Sequence, residues 1–163
     1  MKLSKYFTLA EMTRTSRTRF KDKNYMGALN DPFIYDNLTR LCVDILDPIR
    51  ERWGTVDVHS GYRMPELNAA VNGTIRSQHK TGDAADISLR SADLLEVWRW
   101  IALESGLQFG QCILEGDEDG PSWIHISTTR GRATNMCGQI LSTSGNGYTA
   151  HNPNNSNDKL LYA

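Results

Sequence analysis

The chain has 163 residues, and its 18 Lys and Arg against 19 Asp and Glu give a formal net charge of −1. That length suits one domain with its own core, and the near-neutral balance excludes a whole-molecule field that would drive it onto nucleic acid. No apolar run approaches the roughly 18 residues of a membrane span, and the polar segment after Lys2 and Lys5 is unlike a signal-peptide core, so the chain is expected to be cytoplasmic at synthesis. Three cysteines, Cys42, Cys112 and Cys137, without a CxxC spacing read as reduced thiols, not as a disulfide framework or a cysteine-ligated zinc.

Thr8-Leu9-Ala10-Glu11 has the capping-box pattern and predicts a short helix. The cations Arg14, Arg17, Arg19, Lys21 and Lys23 follow and read as a solvated basic segment. From Asn37 to Trp53, Leu38, Leu41, Cys42, Ile45 and Ile49 recur at three- and four-residue steps, which predicts a core-facing helix. Pro48 predicts a kink or break near Asp47, and Gly54 the end of the helix. Val56-Asp57-Val58 alternates as a short strand that exits through Ser60-Gly61-Tyr62-Arg63.

A loop rich in Asn, Gly and Ser leads to His79. Ala85, Ile87 and Leu89 then alternate with Asp86 and Ser88, the pattern of a strand with one apolar face. Ser91 is the expected N-cap of a helix through Leu94, Leu95, Trp98, Ile101 and Ala102. Trp98 and Trp100 cannot face the same side, so one of them is expected to be deeply buried. Gln111–Glu115 and Trp123–Ser127 read as two strands joined by the acidic turn 116–121. The expected architecture is α+β: helices first, then a small antiparallel sheet with a helix inserted. Of the 17 residues from Ser142 to Asp158, 14 are Ser, Thr, Gly, Asn, Pro or Asp, a composition read as a polar tail unable to bury a core.

The chemistry concentrates on two of the four histidines. His79 precedes Asp86 in Ser77-Gln78-His79-Lys80-Thr81-Gly82-Asp83-Ala84-Ala85-Asp86, and His125 lies on a strand 39 residues further on. A lone histidine and aspartate are ordinarily a satisfied core pair. Two imidazoles and one carboxylate are equally a ligand set for a catalytic Zn²⁺, since three protein ligands leave a fourth position open. His59 reads as a structural hydrogen-bonding residue, and His151 as solvent-exposed. Trp123 suits either a pocket wall or core packing.

The ordered set Phe7-Thr8-Leu9-Ala10-Glu11-Met12, Leu46-Asp47-Pro48-Ile49-Arg50, Ser60-Gly61-Tyr62-Arg63 with Leu67-Asn68, the Ser77–Asp86 motif, Gln111–Glu115 and Trp123-Ile124-His125-Ile126-Ser127 resembles a family of zinc peptidases. These are the D-Ala-D-Ala carboxypeptidases and L-alanoyl-D-glutamate endopeptidases of bacterial cell walls, whose metal-binding core also occurs in the Hedgehog signalling domain. The likeness is greatest to the small phage and prophage peptidases of the endolysin kind. It implies one Zn²⁺ per chain held by His79, Asp86 and His125, with the peptide stem of peptidoglycan as substrate. It also implies substrate-binding roles for Arg63 and Ser77.

Some members of that family carry an acid three residues before the last histidine, where this chain has Ser122. Strand geometry offers Glu115 as the general base instead, opposite Trp123 and diagonal to His125. The turn acids Asp117, Glu118 and Asp119 are the alternative. The expected division is an N-terminal extension with a short helix (1–35), a zinc peptidase core (36–141) and a polar Asn/Ser/Gly-rich tail (142–163) that can dock to a virion or tail partner. With no leader, such an enzyme is expected to reach the wall by release from the cell or on a virion. A non-catalytic zinc-binding or virion structural module that binds cell wall is the competing reading.

Overall fold

The Thr8 capping box forms as expected: Glu11 N–H meets the Thr8 side chain, and the Glu11 carboxylate accepts from Thr8 N at 2.8 Å, opening α1 (Leu9–Met12). A computed structural model describes residues 1–129, 137–144 and 147–162. After a 3₁₀ turn (Thr18–Phe20) come α2 (Lys21–Asn30) and α3 (Pro32–Leu41). The periodic helix thus starts five residues before Asn37, because Asp31 caps the amides of Phe33 and Ile34 and Pro32 occupies the first turn.

The disturbance expected from Pro48 takes the form of a π-helical turn, Cys42–Leu46, in which Asp47 N–H reaches Cys42 O. Pro48 has no N–H for the helical ladder, so α4 (Asp47–Trp53) restarts with the proline in its first turn. The apolar positions stay on one face throughout: Leu38, Leu41, Cys42, Ile45 and Ile49 are all fully buried.

β1 (Val56–Ser60), α5 (Pro65–Ala70), a 3₁₀ turn (Gln78–Thr81), β2 (Ala84–Leu89), α6 (Leu94–Leu103), β3 (Phe109–Asp117) and β4 (Gly120–Thr128) follow. The N-cap of α6 is Asp93 and not Ser91; its carboxylate accepts from both Leu95 N and Glu96 N. β5 (Gln139–Thr143), β6 (Tyr148–His151) and α7 (Lys159–Tyr162) complete the chain. The six strands run in the order β1-β2-β4-β3-β5-β6. All neighbours are antiparallel except β3 and β5, which pair in parallel, a departure from the all-antiparallel expectation.

One face of the sheet, carrying Ala85, Ile87, Leu89, Cys112, Leu114, Ile124, Ile126 and Ile140, packs on the helices with Trp98 fully buried among them. Trp100 is only partly buried, as its neighbour's position requires. The opposite face carries Asp86, His125, Ile113 and Glu115. Segment 1–35 is less an extension than part of the core: Leu3, Phe7, Leu9, Met12, Ala28 and Ile34 are buried in it.

The polar tail is corrected more sharply. Its described residues extend the sheet as β6 and seat Leu161 in the core. What composition concealed is a polar clasp. His151 is not exposed; its ring meets Trp98 edge-on at 5.2 Å, its Nε2 lies 2.8 Å from Ser142 Oγ, and its Nδ1 2.9 Å from Asp158 Oδ2. Few apolar residues are needed where strand pairing and one such network hold a segment. Cys42 and Cys112 are buried free thiols.

Burial acts to raise the Asp158 carboxyl, but its bonds to His151 and to backbone amides hold it below its ordinary value. A depressed folded-state value stabilises above the unfolded carboxyl's value of about 3.9, and that gain is lost as pH falls through the folded one. Asp158→Asn is therefore expected to melt below the wild type at neutral pH and to converge with it in acid. His151→Ala should lower Tm by about 2–8 °C and open residues 148–162 to protease.

Candidate metal centre

The site begins where the N-terminal segment meets the exit of β1. Tyr62 N–H donates to Met12 O at 2.7 Å, and a Cβ on Gly61 would lie 2.3 Å from that same carbonyl oxygen, so the crossing admits only glycine. Asn24 braces the turn, donating to Thr13 O and Tyr62 O and accepting from Met64 N. Gly61 O then accepts from His79 Nδ1 at 2.7 Å, while Arg63 N–H donates to His79 O at 3.0 Å. Gly82, at φ +73°, ends the 3₁₀ turn; its α-carbon passes so close to Ile34 O and Leu38 that a side chain would be both strained and crowded. The chain enters β2 there and carries Asp86 to a position directly opposite His125 on β4.

Two rings and one carboxylate converge as a result. Asp86 Oδ1 lies 3.2 Å from His79 Nε2 and 2.9 Å from His125 Nδ1, and ligand atoms of the three residues all fall within 4.8 Å of one another. The rings meet at a centroid distance of 5.1 Å and an angle of 64°. His79 and His125 are buried. The Gly61 carbonyl can only accept, so it keeps the His79 proton on Nδ1 and leaves Nε2 with its lone pair inward.

Burial pushes the His79 imidazole toward its neutral form, against the opposing pull of Asp86. Burial also acts to raise the Asp86 carboxyl, but bonds to His125 and His79 overcome it and hold the group well below the usual carboxylate range. A neutral His79 imidazole beside an ionised Asp86 carboxylate matches the protonation states that a metal requires. The donor set thus fits a divalent cation that takes nitrogen and oxygen ligands, zinc among them.

These residues lie in a cleft of about 1170 Å³. Arg63, part-buried, sits on its wall with Nη2 3.7 Å from Asp86 Oδ2. Glu115 lines the same cleft opposite Trp123 in the β3–β4 register, diagonal to His125 as strand geometry predicts. Burial, followed by the nearby Asp86 charge, pushes the Glu115 carboxyl up from its ordinary value.

Comparison with known families decides the lineage: residues 5–127 match the family described as Peptidase M15. The chain belongs to the peptidase M15 family. At the family level it is a zinc peptidase acting on peptidoglycan. No curated protein matches it.

In this M15 chain, the structure brings together His79, Asp86, His125, Glu115, Arg63 and Ser77, which all line one cleft. Asp117, Glu118 and Asp119 are exposed in the turn and none lines it. Trp123 forms cleft wall and not core, being 37% exposed. His59 hydrogen-bonds Ser88 Oγ at 2.7 Å, away from the site. Sequence reasoning missed Gly61 and Asn24 as supports, Gln78 beside His125, and Tyr148 at the cleft rim. Gly61 and Gln78 lie inside the Ser60–Arg63 and Ser77–Asp86 motifs; Asn24 and Tyr148 left no signal in the pattern.

Metal analysis of purified protein should find about one zinc per chain, and His79→Ala, Asp86→Ala or His125→Ala should each lose it. Gly61→Ala should weaken zinc binding without touching a ligand, by about 10-fold or more, because it shifts the acceptor of His79; chelator competition measures this.

Proposed function

We propose that the chain is a zinc endopeptidase that cuts an internal amide of the peptidoglycan stem. The observation that carries this reading is the course of the cleft. It runs from the 71–81 loop, over Asp86 and His125, across β3 and β5 to Tyr148 on the edge strand. Tyr148 stands three strand spacings from β4, roughly 14 Å, room for about four extended residues on one side of the metal residues. A carboxypeptidase that removes one terminal residue needs such length on the acyl side alone, whereas this cleft also continues past the metal residues along the 71–81 loop.

Zinc bound by His79, Asp86 and His125 would supply Lewis-acid polarisation of the carbonyl and acidification of water. Glu115 takes the proton of the attacking water and returns it to the leaving amine, a role for which its raised affinity for protons suits it. Arg63 meets a peptide carboxylate or the developing oxyanion, with Asp86 steadying the guanidinium from behind. Ser77, which caps no helix through its side chain, offers its hydroxyl to the peptide backbone. Trp123 and Tyr148 are exposed aromatic walls for the stem.

A lysin-type role after release from the cell is supported by the resemblance of the Phe7–Met12 segment to phage and prophage peptidases. The competing reading, a wall-binding module without turnover, draws on Ser122, where some relatives carry an acid. Glu115 in the cleft supplies the base that Ser122 lacks, which favours turnover.

Glu115→Gln should retain zinc while kcat falls by about 10²–10⁴-fold on a defined muropeptide. Mass spectrometry of wild-type digests should show two peptide fragments from an internal cut. Release of a single terminal D-alanine would instead indicate a carboxypeptidase, and no product from zinc-loaded wild type would favour the binding module.

A further inference from the structure

We propose that Gln78 is a positioning residue that selects which nitrogen of His125 faces the metal; the inference rests on the metal reading of His79, Asp86 and His125. An imidazole presents a lone pair at one nitrogen only when its proton sits on the other, so whatever accepts that proton chooses the ligand atom. For His79 the chooser is the Gly61 carbonyl. Among the described residues His125 has no such backbone partner. Its Nδ1 points at Asp86 Oδ1, and its Nε2 lies 3.3 Å from Gln78 Oε1.

A glutamine amide can present either its oxygen or its NH₂ group, and the two ends specify opposite tautomers. Here the amide is held from behind. Gln78 Nε2 donates at 2.9 Å to Ser127 Oγ, a fully buried hydroxyl that also receives Gln111 N–H at 2.9 Å. With its NH₂ group engaged by Ser127, Gln78 turns its oxygen to His125, keeps the proton on Nε2 and leaves Nδ1 for the ion. The 3₁₀ turn Gln78–Thr81 therefore carries one ligand, His79, and the group that orients another. Ser127 lies two residues beyond His125 on β4, so the same pair of elements closes the network.

The test compares Gln78→Leu, Gln78→Glu and Ser127→Ala with wild type in full-length protein, by zinc affinity in chelator competition and by long-range ¹H–¹⁵N spectra of the zinc-loaded rings. Gln78→Leu should weaken zinc binding by about 10–100-fold, the range for removing such a partner, and Gln78→Glu, which keeps an acceptor, should restore most of it. Ser127→Ala should cause a smaller loss. The wild-type spectrum should show His125 protonated at Nε2 and bound through Nδ1. A purely structural Gln78 would instead lower the melting point of both Gln78 variants and leave zinc affinity alone. Gln78→Leu binding zinc within about twofold of a zinc-binding wild type, or His125 bound through Nε2, overturns the role of Gln78. A wild type that takes up no zinc contradicts the metal reading itself and the proposal with it.

Discussion

Asp86 lies directly opposite His125 in the antiparallel β2–β4 ladder, and that one register places a carboxylate and an imidazole on the same side of the sheet at 2.9 Å. Side chains alternate faces along a strand, so a slip of one residue would send Asp86 into the core and bring apolar Ala85 or Ile87 to the cleft. The core enforces the pairing: Ala85 and Ile87 flank Asp86 on β2, Ile124 and Ile126 flank His125 on β4, and all four are fully buried. Burial of the apolar face thus holds the polar residues in place on the other face.

The third donor depends on a longer chain of contacts. His79 sits on a turn, and its ring is fixed from outside the sheet by Gly61, which is itself pinned under Met12 at the end of α1. The Thr8 capping box, 71 positions from His79, matters because it shapes the short helix whose last carbonyl meets Tyr62. This explains physically why a Phe-Thr-Leu-x-Glu-Met segment accompanies a metal motif with which it shares no chemistry. Burial then sets the charge states, disfavouring the imidazolium of His79, while two imidazoles keep the Asp86 carboxylate ionised.

The residues whose chemistry is local were legible in the sequence. The Glu115–Trp123 pairing and the apolar stripe of the 37–53 helix follow from alternation and spacing, and the structure returns both; His79, Asp86 and His125 were singled out by the family resemblance, and the structure brings them close enough to hold one ion. The elements that depend on distant partners were not. The parallel β3–β5 pairing depends on where the chain after β4 returns, and nothing in Gln139–Thr143 announces its partner. The segment after Ser142 looks polar because its order comes from ladder hydrogen bonds and from His151 between Trp98 and Asp158, neither of which composition records. Gln78 was passed over for the same reason: its role exists only once β4 brings Ser127 and His125 beside it.

Membership of the M15 family and the convergence of His79, Asp86 and His125 make a single claim about chemistry: one ion, three protein ligands and an open position facing a long cleft. Anomalous diffraction at the zinc absorption edge from crystals of the zinc-loaded protein tests it most directly. The account predicts one peak within about 2.0–2.2 Å of His79 Nε2, His125 Nδ1 and an Asp86 carboxylate oxygen, with its remaining coordination directed into the cleft. A peak elsewhere, or a zinc-loaded crystal with these three side chains bonded only to one another, would contradict it.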